Sequence, residues 1–259
     1  MSFFKHDTAV ISDGAEIGDG SYIGPFCTIG ADVQLGSGVR LESHVVVDGR
    51  TKIGDETHVF PFVSIGLAPQ DLKYAGEPTG TEIGKRNHIR EFVTIHRGTE
   101  GGGGMTRIGD GNLLMAQAHV AHDCQLGNEI IMANAATLAG HVEVADRASV
   151  GAYSGVHQFC RVGLEAFIGG YSVAVKDAMP YATIQGNHAK CYGLNSVGMR
   201  RRGYAKEAID HLNHAFRLLL SSKLNTTQAV EKITEEIAGC KEVDLLLDFI
   251  ANAKRGVVK

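Results

Sequence analysis

A six-residue repeat constrains this chain more than any other feature of its sequence. An aliphatic residue recurs at every sixth position from Ile11 to Ile65, and again within residues 83–95 and 108–168. A small or β-branched residue stands two positions before most of these aliphatic residues. A period of six matches neither the 3.6-residue turn of an α-helix nor the steady alternation of a long strand. It predicts short strands joined by sharp corners, with three strands to a coil and coils stacked about 4.8 Å apart by parallel hydrogen bonding.

This pattern predicts an all-β parallel β-helix with aliphatic ladders inside a three-sided prism. Cys27, Cys124 and Cys160 all occupy the small inward position, so we expect them to be packing residues. Cys191 and Cys240 lie outside the repeat, and nothing in their surroundings suggests chemistry.

The periodicity becomes helical in the last part of the chain. Apolar residues follow helical spacing from about Ala205 onward, and Thr226 and Thr227 are suitable starts for a second helix. We therefore predict a β-helix over residues 1–188 and a small α-helical C-terminal domain over residues 189–259. That domain would cover the last coil, whose strands otherwise expose unpaired backbone groups.

Composition excludes several classes of protein. The net charge of −4 and the pI near 6.3 argue against a nucleic-acid-binding surface. No apolar stretch reaches the roughly 18 residues of a membrane span, and the first residues lack a signal-peptide core, so we expect no integral membrane segment. Five cysteines without framework spacing indicate a reducing cytoplasm.

Two segments interrupt the repeat, at residues 66–82 and 96–107. If each leaves the prism at a corner, Ile65 and Ile95 lie on one face, and both loops emerge from the same edge. Loops on a rigid scaffold often carry function.

Histidines follow the same geometry. His96, His122, His141 and His157 each come one to three residues after an aliphatic residue of that face, so we expect them to line one corner in successive coils. Asp123 adjoins His122, and His119 precedes Val120 on the outward side.

Three interpretations of this histidine column are open. It can be a polar ladder without chemistry, or a cleft in which one imidazole acts as a general base near neutral pH. It can also be a zinc site, because three histidines from neighbouring coils would leave an open position for water.

Several motifs resemble those of the UDP-N-acetylglucosamine O-acyltransferase family, and the resemblance runs essentially end to end. The segments that carry it are AQAHVAHDCQLGN (116–128), NAATLAGHV (134–142), VHQFC (156–160), QDLKYAGEPT (70–79), TIHRGT (94–99) and the helical tail. The resemblance implies a left-handed β-helix, a cytoplasmic homotrimer with active sites in the clefts between prisms, and the first step of lipid A biosynthesis. In that reaction a 3-hydroxyacyl group passes from acyl carrier protein to the 3-hydroxyl of UDP-N-acetylglucosamine. No cofactor is implied beyond the phosphopantetheine that carries the acyl group.

The resemblance also implies roles for individual residues. His122 would be the general base, Asp123 would orient it, and the Gly140 N–H would bind the oxyanion. Gly170 matches a position that limits acyl length. The residues implied in substrate binding are Gln70, Asp71, Lys73, His119, His141, His157, Gln158, His188, Asn195, Arg201 and Arg202.

One stretch departs from the family pattern, and some rival functions stay open. Val197 and Gly198 occupy the place where the family carries an acid near the uridine, which leaves uridine recognition unexplained. The rivals are the later UDP-glucosamine N-acyltransferase, which carries an extra N-terminal domain, and a γ-class carbonic anhydrase with histidine ligands. The spacing of three between His119 and His122 differs from the spacing of five in that anhydrase class. A non-enzymatic solenoid would show flat threonine ladders instead of loops beside histidines.

Overall fold

A computed structural model describes residues 2–220 and 223–259. Most strands contain two residues, as expected when corners follow each other every six residues. In chain order the strands are β1 (Phe4–Lys5), β2 (Val10–Ile11), β3 (Glu16–Ile17), β4 (Tyr22–Ile23), β5 (Thr28–Ile29), β6 (Gln34–Leu35), β7 (Arg40–Leu41), β8 (Val46–Val47), β9 (Arg50–Ile53), β10 (His58–Val59), β11 (Ser64–Leu67), β12 (Gly80–Ile83), β13 (His88–Ile89), β14 (Thr94–His96), β15 (Met105–Ile108), β16 (Leu113–Leu114), β17 (His119–Val120), β18 (Gln125–Leu126), β19 (Ile131–Met132), β20 (Thr137–Leu138), β21 (Glu143–Val144), β22 (Ser149–Val150), β23 (Gly155–Val156), β24 (Arg161–Val162), β25 (Phe167–Ile168), β26 (Val173–Ala174), β27 (Ala182–Gln185) and β28 (Lys190–Leu194).

The strands form three sheets, which are the faces of a prism. Face A contains β1 and every third strand up to β25, followed by β27 and β28, whereas face B runs from β2 to β26 and face C from β3 to β24. Between the described strands, all pairings are parallel except that of β27 with β28. This topology confirms the predicted parallel β-helix.

The inside of the prism is filled by the aliphatic ladders that the repeat predicts. Ile65, Ile95 and Val120 lie in register on face B with no exposed surface. Cys27, Cys124 and Cys160 are equally buried, which confirms the packing interpretation. Burial raises the pKa of the Cys124 thiol to about 12 and that of Cys160 to about 11.

Both loops leave from the edge between faces B and C, which we call the B/C edge. The strands extend further than the sequence indicated, so the irregular segments are residues 68–79 and 97–104. The second segment contains a short 3-10 turn at Glu100–Gly102. Because β11 and β14 both lie on face B, and both loops lead to face C, the predicted common edge is confirmed.

In the described part of the chain, the β-helix is followed by a hairpin and four helices. Residues 189–195, which the periodicity assigned to the helical part, include β28, whose antiparallel pairing with β27 closes face A. The helices are α1 (Ser196–Arg201), α2 (Lys206–Leu220), α3 (Thr226–Glu236) and α4 (Lys241–Ala251). Helix α3 begins at the predicted Thr226, and Asn225 caps it through a capping box with Gln228. Among the described residues, no helix has the length and apolar character needed to cross a bilayer.

Candidate active site

Four of the predicted histidines form one group at the B/C edge. The strand register places β14, β17 and β20 side by side, so the corners that follow them stack in neighbouring coils. The ring centroids of His96 and His119 are 5.1 Å apart, and those of His122 and His141 are also 5.1 Å apart. Burial is the main cause of the lowered pKa values of His96 and His119, and an electrostatic interaction with His122 contributes to both, so the two histidine pairs influence each other.

His122 and Asp123 form a hydrogen-bonded dyad at the centre of this group. The His122 Nδ1 lies 2.8 Å from the Asp123 Oδ2, and the imidazole is 16% exposed. Because an ionised carboxylate only accepts hydrogen bonds, Nδ1 is the protonated nitrogen. Nε2 therefore carries the lone pair, which is the tautomer required of a general base.

Gly140 lies directly against the imidazole of His122, one coil away. A Cβ built at Gly140 would come within 2.6 Å of His122 Cε1 and 2.8 Å of Nε2, so only glycine leaves room for this ring position. The Gly140 N–H donates to no acceptor within residues 2–220 and 223–259. A free N–H beside the base is suited to binding a negatively charged oxygen.

The Asp123 carboxylate is buried and held from the second loop. Thr99 donates its backbone N–H to Oδ1 at 2.8 Å and its hydroxyl to Oδ2 at 2.6 Å. Asp123 itself donates its N–H to the buried Thr106 hydroxyl at 2.8 Å. His141 Nε2 lies 3.8 Å from the same Oδ2 that pairs with His122. These contacts hold the carboxylate in place and aim it at His122.

Burial shifts the titration of the surrounding histidines downward. It lowers the pKa of His96 to about 4, with smaller contributions from the positive charges of His119 and His122. Burial likewise lowers the pKa of His119, whose Nδ1 is 2.7 Å from the Thr94 hydroxyl. Both rings are therefore neutral near pH 7.

The first loop reaches the same group. Burial lowers the pKa of His141, while the carboxylates of Asp123 and Asp71 act in the opposite direction, which places Asp71 near this ring. The Asp71 Oδ1 accepts the backbone N–H of Lys73 at 3.0 Å. Gln70 and Lys73 are exposed at the loop surface, where they are free to contact a ligand.

His157 and Gln158 lie on the same edge, one coil beyond Gly140 and His141. Both are exposed, and the His157 Nδ1 lies 3.1 Å from the carbonyl of Gln158. They extend the polar edge, but among the described residues no hydrogen bond or ion pair joins their side chains to the His122–Asp123 dyad.

The remaining predicted residues lie on other edges of the chain. Arg202 pairs with Glu165 at 3.0 Å and with Glu129 at 3.2 Å, and both acids belong to corners between faces C and A. Gly170 lies at a corner between faces A and B, and His188 is exposed between β27 and β28.

Asn195 has a structural role in the single chain, and Arg201 is exposed beside it. Asn195 caps α1 by accepting the Gly198 N–H at 3.1 Å, and its amide donates to the Glu165 carbonyl at 3.1 Å. A Cβ at Gly198 would come within 2.5 Å of the Asn195 amide. The sequence departs from the family pattern at Gly198, and a glycine there leaves room for the Asn195 cap. Val197, the other departure, is 57% exposed on α1.

Sequence reasoning missed Thr99 and Gly102 beside the dyad, and Glu165 beside Arg202 on another edge. Thr99 ends the TIHRGT motif, yet nothing in the spacing indicates that its hydroxyl would reach Asp123. Gly102 faces the same carboxylate from the glycine run. Glu165 is 2% exposed and pairs with Arg147 as well as Arg202, which a pattern of corner residues does not reveal.

The dyad and His141 together could hold a cation. One ligand atom each of His122, Asp123 and His141 lies within 4.8 Å of the other two. The Asp123 carboxylate in this set already accepts hydrogen bonds from Thr99 and His122, an arrangement suited to orienting a base. That the site works without a metal stays a prediction.

Comparisons with known proteins agree with this architecture. The family model for UDP N-acetylglucosamine O-acyltransferase, domain 2, matches residues 177–258, and the bacterial transferase hexapeptide model matches residues 14–49. Solved structures match over nearly the whole chain. LpxA from Acinetobacter baumannii is 44% identical, with 98% of this chain and 99% of that chain covered at a TM-score of 0.96.

Two further structures extend the range of similarity. UDP-N-acetylglucosamine O-acyltransferase from Moraxella catarrhalis is 45% identical over 100% of both chains, with a TM-score of 0.96. The Arabidopsis UDP-N-acetylglucosamine acyltransferase is 33% identical over 99% of this chain and 100% of that chain, with a TM-score of 0.85. Because these relatives are 33–45% identical over 98–100% of this chain, the chain belongs to the UDP-N-acetylglucosamine O-acyltransferase family.

Proposed function

We propose that this enzyme transfers a 3-hydroxyacyl group from acyl carrier protein to the 3-hydroxyl of UDP-N-acetylglucosamine, the first step of lipid A biosynthesis. The observation that carries the proposal is the His122–Asp123 dyad, in which Nδ1 is bonded to a buried carboxylate and Nε2 adjoins the free Gly140 N–H. No cofactor is needed beyond the pantetheine thioester of the donor.

The chemistry follows from the need to activate an alcohol. His122 Nε2 accepts the proton of the sugar hydroxyl as its oxygen attacks the thioester carbonyl, and a carbon–oxygen bond forms. The Gly140 N–H donates to the oxyanion of the tetrahedral intermediate. When the carbon–sulfur bond breaks, the imidazolium returns the proton to the leaving thiolate. Asp123 stabilises the imidazolium between these two transfers.

The other residues of the B/C edge would hold the substrates. In this proposal His119, His141, His157 and Gln158 line the cleft, while Gln70, Asp71 and Lys73 in the first loop contact the sugar or the pantetheine arm. The proximity of Asp71 to His141 supports a role for this loop beside the acyl acceptor.

The nucleotide would be held by residues from a second copy. In one chain, Arg202 pairs with acids on a different edge of the prism from the dyad. We therefore expect Arg201, Arg202, His188 and Asn195 to contact a nucleotide at the dyad from another subunit. Guanidinium groups suit the diphosphate oxygens. Gly170 would bound the acyl chain in the same cleft between subunits.

An exposed aromatic ridge supports association of the copies into a homotrimer. At the edge between faces A and B, Phe26, His44, Phe62 and Phe92 stack with centroid separations of 4.8 Å, 4.8 Å and 5.0 Å. The three phenylalanines are each about half exposed in the single chain. An aromatic row of this kind favours burial against another protein surface.

The proposal is tested by His122→Ala in an assay with hydroxyacyl carrier protein and UDP-N-acetylglucosamine. Loss of the general base should reduce turnover by about 10²–10⁴-fold. His6→Ala, which removes an imidazole from the first corner of the prism, serves as the matched control and should keep full turnover. Near-normal turnover of the His122 variant would refute the assignment. Transfer to a 3-O-acylated UDP-glucosamine amine instead of UDP-N-acetylglucosamine would favour the later N-acyltransferase.

A further inference from the structure

We infer that Thr99 is a positioning residue for catalysis, which acts by fixing the Asp123 carboxylate against His122. This inference rests on the proposed function of the dyad. It assigns to the second expelled loop, residues 97–104, a part in the machinery that motifs alone do not indicate.

The first argument is the geometry of Thr99. Its backbone N–H and its hydroxyl bind the two different oxygens of Asp123, at 2.8 Å and 2.6 Å, so the carboxylate is clamped at both ends. Thr99 stands at the N-cap position of the 3-10 turn, where a threonine hydroxyl normally binds a backbone N–H of its own turn. Here the hydroxyl makes no such bond and is directed to Asp123 instead.

The second argument is the shape of the loop around the carboxylate. A Cβ at Gly102 would come within 2.0 Å of the Asp123 carboxyl carbon, and one at Gly98 within 2.8 Å of Oδ1. Two glycines therefore let the loop close over the carboxylate of Asp123, a residue that is 3% exposed. Gly101, between them in the chain, has open space around its Cβ position.

The third argument is a competitor for the same oxygen. Oδ2 accepts from His122 Nδ1 at 2.8 Å, while His141 Nε2 is 3.8 Å away. The Thr99 hydroxyl on Oδ2 holds this oxygen in the position that favours His122. Without it, the carboxylate can rotate towards His141, and His122 loses the partner that defines its tautomer and ring orientation.

The test compares Thr99→Val with Thr99→Ser in the acyl-transfer assay. Valine keeps the branched shape and the backbone N–H but removes the hydroxyl, so kcat should fall about tenfold or more with the KM for UDP-N-acetylglucosamine unchanged. Serine keeps the hydroxyl and should restore most of the turnover. A second pair of variants tests how closely the loop packs on the carboxylate. Gly102→Ala should reduce kcat because its Cβ would collide with Asp123, whereas Gly101→Ala, with open space at its Cβ position, should not.

A double-mutant cycle separates positioning from a general structural effect. In an Asp123→Asn background, Thr99→Val should cause little further loss, because the carboxylate through which it acts is absent. Equal kcat for Thr99→Val and the parent, or the same loss with and without Asp123, would overturn the inference. If the parent enzyme transferred no acyl group, or Asp123→Asn kept full turnover, the proposed function itself would fail instead. Circular dichroism and thermal unfolding of each variant show that the prism is intact.

Discussion

Gly140→Ala is a sharp test of how closely the base is packed. The new Cβ would stand 2.6 Å from His122 Cε1, about 0.8 Å short of ordinary contact, and 2.8 Å from Nε2. Because Gly140 lies on a coil held by parallel ladders on both sides, the imidazole must move rather than the backbone. A displacement approaching 1 Å at a reacting group lowers turnover by about 10²-fold, so we expect a kcat decrease of that size.

The substitution keeps the Gly140 N–H, so it tests the space for the base separately from the oxyanion donor. Steady-state kinetics with hydroxyacyl carrier protein should show the loss in kcat, and thermal unfolding should show an intact fold. Gly155→Ala is the matched control, since its Cβ would have open space on face B and should leave kcat unchanged. A Gly140→Ala enzyme with parental kcat would refute the packing argument.

Two further predictions concern stability. His96 has a pKa of about 4 in the fold against an ordinary 6.5, so the unfolded chain binds a proton that the native chain excludes, and stability falls by up to about 3 kcal/mol as the pH drops from 6.5 to 4. Denaturant unfolding at fixed protein concentration should show a flatter pH dependence for His96→Asn, and parallel curves would contradict this. Asn225→Ala removes the capping box of α3 and should lower the free energy of unfolding by about 0.5–2 kcal/mol in the same assay, whereas no change would show that the cap does not stabilise the domain.

Much of the fold could be predicted because every coil repeats one local rule. Inward aliphatic residues such as Ile65, Ile95 and Val120 alternate with outward polar residues, and this pattern specifies a short strand followed by a corner. Parallel stacking of the coils follows from it. Because the strand register also fixes the positions of the corner residues, His122 and His141 could be assigned to one edge. The same six-residue count along the chain places both loops at a common edge.

The contacts that complete the site depend on irregular backbone. The path of residues 97–104 has no period, so the hydrogen bonds from Thr99 to Asp123 could not be read from spacing. Helix α1 is short, and its cap by Asn195 belongs to a loop that follows the hairpin. The pairing of Glu165 with Arg147 and Arg202 joins a corner to the chain after α1, which no local pattern encodes.

The stacked coils limit how the geometry of such a cleft can change during evolution. Each coil has a fixed height, so inserting or deleting one coil shifts every residue beyond it by about 4.8 Å along the axis of the prism. The axial distance between residues on different coils, such as Asp123 and His141, can therefore change only in steps of one coil. Finer adjustment of substrate fit has to come from single side chains at the corners and from the two loops, which are free of the ladder.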